Sequence, residues 1–235
     1  MTEPDPQAGA LPRVRPKDAA TLIVLRRDPD AVRVLMGRRA DAHAFMPRAV
    51  VFPGGRVERA DRYGPSLDEL HPAVAAKLGL ATRNADPGRA RAIALAAIRE
   101  TYEETGVLIG RPAPMASGGK AWAPFLDTGV APSLTPLRLI ARAITPPGRF
   151  SRRFDARFFA VFADAIGAQV DVPDRELQRP QWLTFEEARR HGIPRITRAV
   201  IDGLETRLAG DPALAPDGPV PFHLMRRGTF RTELL

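Results

Sequence analysis

The chain has 235 residues, of which 44% are hydrophobic, so it is long enough to bury a sizeable core and is predicted to form one elaborated domain. It contains no cysteine, which excludes disulfides, thiolate nucleophiles and thiolate metal ligands, and no apolar run in it is long enough to cross a bilayer. The net charge of +8 comes from arginines spread along the chain, which indicates biased composition more than a nucleic-acid-binding stripe.

Composition also suggests how the chain is divided. Residues 1–17 are polar and proline-rich and are predicted to form a flexible tail, followed by the folded domain at 18–209 and a proline-rich C-terminal extension at 210–235. The first residues lack the apolar stretch of a signal peptide, so we expect a cytoplasmic location.

The first half of the chain is predicted to open with strands. Two short apolar runs, residues 21–25 and 32–36, are separated by a turn signal around Pro29. Residues 49–52 are a further strand candidate that leads into a glycine pair, where backbone can approach a ligand. The next stretch, residues 61–88, resembles an inserted helical hairpin or lid.

The strongest predicted element is a helix over residues 89–105. Ile93, Ala97 and Ile98 have helical spacing, and Gly106 stands where a C-terminal cap is expected. Later strands are predicted at 137–144, 156–162 and 181–183, then a helix capped by Thr184 and Glu187 and another after Pro194. This order favours the α/β (α+β) class, with a mixed β-sheet sandwiched between helices.

Three carboxylates lie on one face of the central helix. Glu100, Glu103 and Glu104 are spaced i, i+3 and i+4, near the negative end of the helix dipole, where acids are least favoured. A solvated acidic patch is one interpretation of this spacing. The alternative is that a hard divalent cation, Mg²⁺ or Mn²⁺, compensates the three charges and binds the phosphates of a substrate.

Two segments together resemble the signature of the Nudix hydrolase family, G-x5-E-x7-R-E-U-x-E-E-x-G-U, in which U is aliphatic. Residues 99–107 match its second half except at Thr101, and Gly55 is followed six residues later by Asp61, where the family has glutamate. Between Asp61 and Arg99 lie 37 residues instead of seven, which indicates an insertion of 30 residues that loops out at about 62–88.

The resemblance implies a role for each matched residue. The metal would be bound by Glu100, Glu103, Glu104 and the backbone of Gly55. The catalytic residues would include Glu103, Glu104 and Arg99. Arg99 would also form an ion pair with an acid and so hold the loop to the helix. Asp61 is either that partner or displaced by the insertion. The remaining residues expected to shape the box are Gly54 and Gly106.

The long insertion resembles a Nudix subgroup that includes peroxisomal coenzyme A diphosphatase. That likeness implies cleavage of CoA or acyl-CoA to a phosphopantetheine and adenosine 3′,5′-bisphosphate, with an ADP-ribose or NADH pyrophosphatase and a non-catalytic nucleotide-sensing module as the alternatives. The predicted partner is a nucleotide-derived small molecule, with a homodimer allowed and with membranes and nucleic acids disfavoured.

Three further residues have two interpretations each. Glu176 is either a general base or a solvated loop acid. Arg153 and Arg157 flank an aromatic strand and either bind substrate phosphate or keep a sheet edge soluble.

Overall fold

A computed structural model describes residues 14–39, 49–82, 85–115, 118–147, 152–172 and 177–235. The strands are β1 (Lys17–Arg27), β2 (Val32–Arg39), β3 (Val50–Val51), β4 (Gly54–Arg56), β5 (Val107–Pro112), β6 (Val130–Pro132), β7 (Arg138–Ile144), β8 (Phe154–Phe162), β9 (Ile166–Gln169), β10 (Leu177–Thr184), β11 (Pro221–Arg226) and β12 (Thr229–Leu234). The helices are α1 (Pro72–Gly79), α2 (Pro87–Thr105), α3 (Ala123–Leu126), α4 (Phe185–Arg190) and α5 (Arg195–Gly210), with 3₁₀ turns at Arg59–Tyr63 and Ala163–Ala165.

A large mixed sheet organises the chain in the order β10-β2-β1-β8-β7-β11-β12, with β3 beside β2 and β4 beside β1. Strand β1 runs parallel to β8 and antiparallel to β2, so the predicted opening pair of strands is confirmed. A small sheet of order β6-β5-β9 completes the strands. Among the described residues, no helix is long and apolar enough to span a membrane.

Alternation along the central strands buries both faces of the large sheet. On β1, Leu22 and Val24 join the cluster formed with α1 and α2, whereas Ile23 and Leu25 join the cluster formed with α4 and α5. Successive side chains of a strand point to opposite faces, so each apolar strand contributes to two cores. The predicted mixed sheet between helical layers is therefore confirmed.

Helix α2 begins and ends at capping residues. Asp86 accepts a hydrogen bond from the Gly88 amide at 2.9 Å, Pro87 occupies the first turn, and Gly106 ends the helix with a φ of 76°. Proline suits a first turn because no helical hydrogen bond is lost there, and glycine adopts the left-handed conformation without a side-chain clash. The helix predicted at 89–105 is confirmed and starts two residues earlier.

The insertion is helical, as predicted, but it forms one helix instead of a helical hairpin or lid. Within residues 62–82 and 85–88, the structure has one complete α-helix, α1, before α2 begins. Leu70, Val74 and Leu78 are buried in the same cluster as α2, so this segment is part of the core layer. Val74 and Leu78 are spaced i and i+4 and thus lie on one helix face, which explains why the segment packs inward.

The last residues extend the large sheet. After α5, strands β11 and β12 form a hairpin, and β11 pairs with β7 in parallel through Phe222 and His223. Val220 and Phe222 are buried. The proline-rich composition of residues 210–235 gave no sign of these two strands. The capping box of Thr184 and Glu187 is confirmed at the start of α4.

Candidate active site

The glycine loop lies against the C-terminal end of α2. The Gly54 amide donates a hydrogen bond to Oε2 of Glu104 at 2.8 Å. Gly54 has a φ of 153°, and a Cβ atom there would lie 2.4 Å from the backbone oxygen of Ala20. Only glycine permits this conformation and this approach, so the residue type at position 54 brings the loop to the carboxylate helix.

Glu100 contacts the next glycine of the loop. A Cβ atom on Gly55 would lie 2.4 Å from the Glu100 carboxylate, a distance that real side chains do not tolerate. Burial raises the pKa of Glu100 to about 7, although the Arg99 charge opposes the shift. A carboxylate that has lost its water in this way is stabilised by a nearby cation.

A buried ion pair joins the two segments that flank the insertion. Arg99 donates from Nε to Oδ1 of Asp61 at 2.8 Å and from Nη2 to Oδ2 at 3.1 Å. The Asp61 side chain is fully buried, and that of Arg99 is 6% exposed. Asp61 also accepts the Glu58 amide at 2.7 Å, which closes the 3₁₀ turn of Arg59–Tyr63. The loop and α2 are therefore held together despite the inserted chain between them.

Arg99 is the centre of a cluster of acids. Its Nη1 atom lies 2.8 Å from Oε2 of Glu103, and its Nη2 atom lies 3.0 Å from Oε1 of Glu100. Burial alone would lower the pKa of Arg99, but the Asp61 hydrogen bond and the neighbouring charges raise it overall. For Glu103, burial raises the pKa of the carboxyl group, and the charge of Arg99 opposes that shift. Arg99 therefore stays charged and fixes the positions of its neighbours.

The chemistry of the acids suits a divalent cation. Glu100 and Glu104 line one pocket together with Gly54 and Gly55, so carboxylate oxygens and loop backbone reach the same space. Oxygen donors of this kind are the ligands of Mg²⁺ and similar hard cations. In the described part of the chain, no three acidic or histidine side chains converge into a ready ligand cluster, and Glu103 is bound to Arg99. Metal binding by all three glutamates thus requires the Glu103 side chain to move toward the other two.

Positive charge surrounds the rest of this pocket, which has a volume of about 720 Å³. The cationic residues that line it come from β1, β2, β4 and the segments before β1 and β8: Arg15, Lys17, Arg39, Arg56, Arg152 and Arg153. The acidic residues that line it are Glu58, Glu100 and Glu104. A pocket lined by both carboxylates and cationic side chains matches a polyanion that reacts at a metal-binding group.

The structure separates the two arginines predicted to bind substrate. Arg153 lines the pocket and donates from Nε to the Thr145 carbonyl at 3.0 Å and from Nη1 to the Val14 carbonyl at 2.8 Å. Arg157 is buried, donates to Oδ1 of Asp18 at 2.7 Å, and does not line this pocket. Arg157 lies two positions before Phe159 on β8, so its side chain points to the α2 face of the sheet. There it pairs with the neighbouring carboxylate of Asp18 and is not available to a substrate in the pocket.

Other expected residues have clear places or lie outside the described residues. Gly106 ends α2 and positions the strand that follows. Glu176 lies outside the described residues. Sequence reasoning missed Lys17 and Arg56 as pocket residues. Arg56 directly follows the glycine pair, a position that could have indicated it.

Comparisons with known proteins give a consistent family. The chain is 31% identical to the acyl-coenzyme A diphosphatase NUDT19 of Gallus gallus, over 83% of this chain and 57% of that protein. It is 26% identical to a nudix hydrolase 7 of Caenorhabditis elegans, over 66% of this chain and 48% of that protein. The chain therefore spans about half the length of the curated relatives it matches.

A solved structure agrees with these relatives. The crystal structure of a NUDIX hydrolase from Alicyclobacillus acidocaldarius matches with a TM-score of 0.58 and 29% identity, over 83% of this chain and 96% of that one. No protein-family model matches the chain.

Proposed function

We propose, from the premise that this chain belongs to the Nudix hydrolase family, that it cleaves a pyrophosphate bond in a nucleoside diphosphate derivative with a divalent cation as cofactor. The observation that carries the proposal is the joining of the interrupted signature at one pocket. Asp61 and Arg99 form an ion pair across the insertion, and the Gly54 amide donates a hydrogen bond to Glu104. These long-range contacts bring the glycine loop to the carboxylates of α2, which a solvated acidic patch on a helix would not require.

The chain's own residues divide the work of binding and orientation. The cation would be held by Glu100, Glu104 and the backbone of Gly55, and Glu103 would join them once its side chain has moved toward the pocket. A bound cation supplies charge neutralisation at the diphosphate and lowers the pKa of a water nucleophile. Arg99 keeps the loop and helix at a fixed separation through Asp61. The cationic side chains that line the pocket would orient the phosphates near the carboxylates.

For the substrate, we propose CoA or an acyl-CoA, split into a phosphopantetheine and adenosine 3′,5′-bisphosphate. Support comes from the similarity to an acyl-coenzyme A diphosphatase and from the charge of the pocket. CoA carries a 3′-phosphate in addition to its diphosphate, so it needs cationic contacts beyond those at the scissile bond. Six cationic side chains line the pocket, and its volume of about 720 Å³ is within the usual range for small-molecule sites.

Product identification tests the reaction. Purified protein is incubated with Mg²⁺ or Mn²⁺ and with each of four compounds in turn: CoA, acyl-CoA, ADP-ribose and NADH. The products are separated by chromatography and identified by mass spectrometry. Adenosine 3′,5′-bisphosphate from CoA, absent when EDTA is added, is the expected result. AMP from ADP-ribose or NADH alone would move the substrate to those compounds. Binding without any product would favour the nucleotide-sensing alternative.

Paired variants test the acids. Glu104→Gln and Glu103→Gln should lower kcat/KM by on the order of 10²-fold or more, because each removes a charge from the proposed cation site. Glu58→Gln is the matched control, since Glu58 lines the same pocket but lies outside the carboxylate face of α2. If Glu104→Gln turns over substrate as fast as the wild type and as the Glu58→Gln control, the site assignment is refuted.

Recognition of the 3′-phosphate has its own test. Arg56→Ala should raise KM for CoA by about tenfold, the effect of one charge-assisted hydrogen bond, and should change KM for 3′-dephospho-CoA much less. Arg62→Ala is the control, because Arg62 is exposed and pairs with Asp86 away from the pocket. Equal effects on both substrates would place Arg56 at the diphosphate and leave the 3′-phosphate without an assigned contact.

A further inference from the structure

The two edges of the large sheet differ in how well they resist pairing. Strand β10, at one end of the strand order, has a β-bulge between Gln178 and Gln181, with Pro180 inside it and Arg179 at a φ of 50°. Bulges and prolines are the usual protection of an exposed strand edge. Strand β12, at the other end, contains no proline, glycine or lysine and, within the described residues, pairs only with β11.

Strand β12 presents apolar side chains to solvent. Phe230 is 55% exposed and Leu234 is 71% exposed, which makes them two of the four large hydrophobic residues that are exposed in the described chain. They lie on one face of the strand with Thr232, and Arg195 of α5 stacks 5.4 Å from the Phe230 ring. Arg231 and Glu233 lie on the opposite face. A regular, partly apolar edge strand that has neither a bulge nor a proline is a site for pairing with another strand.

The hairpin turn fixes which backbone groups are free. Arg227 and Gly228 form a two-residue turn with φ values of 48° and 79°, and Arg226 pairs with Thr229 across it. In such a hairpin the residue pair next to the turn exchanges hydrogen bonds, and pairs alternate from there. The amide and carbonyl groups of Thr229, Arg231 and Glu233 therefore point toward β11. Those of the remaining residues, Phe230, Thr232 and Leu234, point away from the sheet.

We propose that β12 is a homodimer interface in which two copies pair antiparallel about a two-fold axis at Thr232. In this register Phe230 lies opposite Leu234 of the second copy, and Arg231 lies opposite its Glu233. The outward backbone groups of both strands then meet, which gives about six hydrogen bonds between the subunits. An isologous contact of this kind must be antiparallel, because the same strand serves on both sides of the axis.

Neighbouring registers are disfavoured by charge. A shift of the axis to Arg231 places two arginines opposite each other, and a shift to Glu233 places two glutamates opposite each other. Like charges directly across a strand pair are destabilising. Arg231 has no ion-pair partner in the described part of the chain, whereas Glu233 shares its charge with Arg226 at 3.0 Å. The central register alone gives Arg231 an acidic partner, so the sequence of β12 is self-complementary in one alignment.

The dimer would leave the two pockets independent. Three strands, β8, β7 and β11, separate β12 from β1, which carries pocket residues. Pairing of one short strand buries less surface than the roughly 1,600 Å² of a standard interface, so we expect a concentration-dependent dimer. The inference does not depend on the proposed reaction, and dimer formation should leave turnover per subunit unchanged.

A charge-swap experiment by sedimentation velocity tests the interface and its register. The wild-type chain of 25.6 kDa should show twice that mass as concentration rises. Arg231→Glu and Glu233→Arg should each weaken the dimer by at least about tenfold, because each creates two like-charge pairs by symmetry. The double variant Arg231→Glu/Glu233→Arg should dimerise again, and an equimolar mixture of the two single variants should form heterodimers.

The control keeps the charge change but moves it out of the register. Arg227→Glu alters the hairpin turn, where no partner strand is expected, and should dimerise as the wild type does. Circular dichroism checks that each variant is folded. A wild type that remains monomeric at high concentration would overturn the proposal. A dimer that neither single charge variant weakens, or a mixture that gives no heterodimer, would show that another surface or register is used.

Discussion

Removal of the buried charge at Asp61 should separate the two halves of the site. Asp61→Asn keeps the size of the side chain but leaves Arg99, which is 6% exposed, without its bidentate carboxylate. Breaking a buried ion pair costs about 3–5 kcal/mol because one charge stays buried and uncompensated. Arg99 retains contacts with Glu100 and Glu103, so we expect a value near the lower limit, about 3 kcal/mol.

That loss of free energy can be expressed as a melting temperature. The unfolding entropy of a 235-residue chain is about 0.5 kcal/mol per degree at the typical value per residue, so the melting temperature should fall by about 6 °C. Activity should fall by more than the loss of folded protein alone would explain. Without the pair, the loop that carries Gly55 is no longer held at a fixed distance from Glu100, and catalytic geometry is sensitive to shifts of about 1 Å.

Urea denaturation and steady-state kinetics measure these two effects. Asp86→Asn is the matched control, because Asp86 pairs with the exposed Arg62 in the same inserted region and asparagine preserves its helix-capping function. An exposed pair contributes about 0–1 kcal/mol, so the control should remain close to the wild type. If Asp61→Asn destabilises no more than the control does and retains full kcat, the pair does not hold the site together.

The remaining predictions concern the loop, the pH dependence and the insertion. Gly55→Ala should abolish most activity, since its Cβ would lie 2.4 Å from the Glu100 carboxylate, whereas Gly79→Ala, with 3.5 Å to the nearest atom, should be nearly neutral in the same assay. Burial raises the pKa of Glu100 from 4.5 to about 7, so the folded metal-free chain keeps a proton that the unfolded chain releases. Its contribution to stability is therefore fully present below pH 4.5 and is lost as the pH rises toward 7; denaturation in EDTA should show this decline, and Glu100→Gln should flatten it. Leu78→Ala should cost about 2–5 kcal/mol in a urea titration because Leu78 is buried in the core, and a cost near zero would show that the insertion is peripheral.

Local patterns in the sequence were sufficient for much of the fold. Apolar runs predicted β1 and β2, and the capping residues Thr184 and Glu187 predicted the start of α4. These features follow from strand alternation and from hydrogen bonds between near neighbours, which the chain specifies over a few residues. The short strands β5, β6 and β9 were missed, since strands of three to six residues have little periodic signal.

The sequence by itself determined the shared face of Glu100, Glu103 and Glu104, because helical geometry fixes the side chains at i, i+3 and i+4. Only the tertiary structure decided whether Asp61 remains beside Arg99, since the 37 residues between them could have carried it elsewhere. It also placed Arg153 at the pocket and buried Arg157 on the α2 face of the sheet beside Asp18, although both flank the same aromatic segment. Side-chain type and spacing specify local geometry, whereas the partner of a charge depends on contacts between distant segments that form only when the core packs.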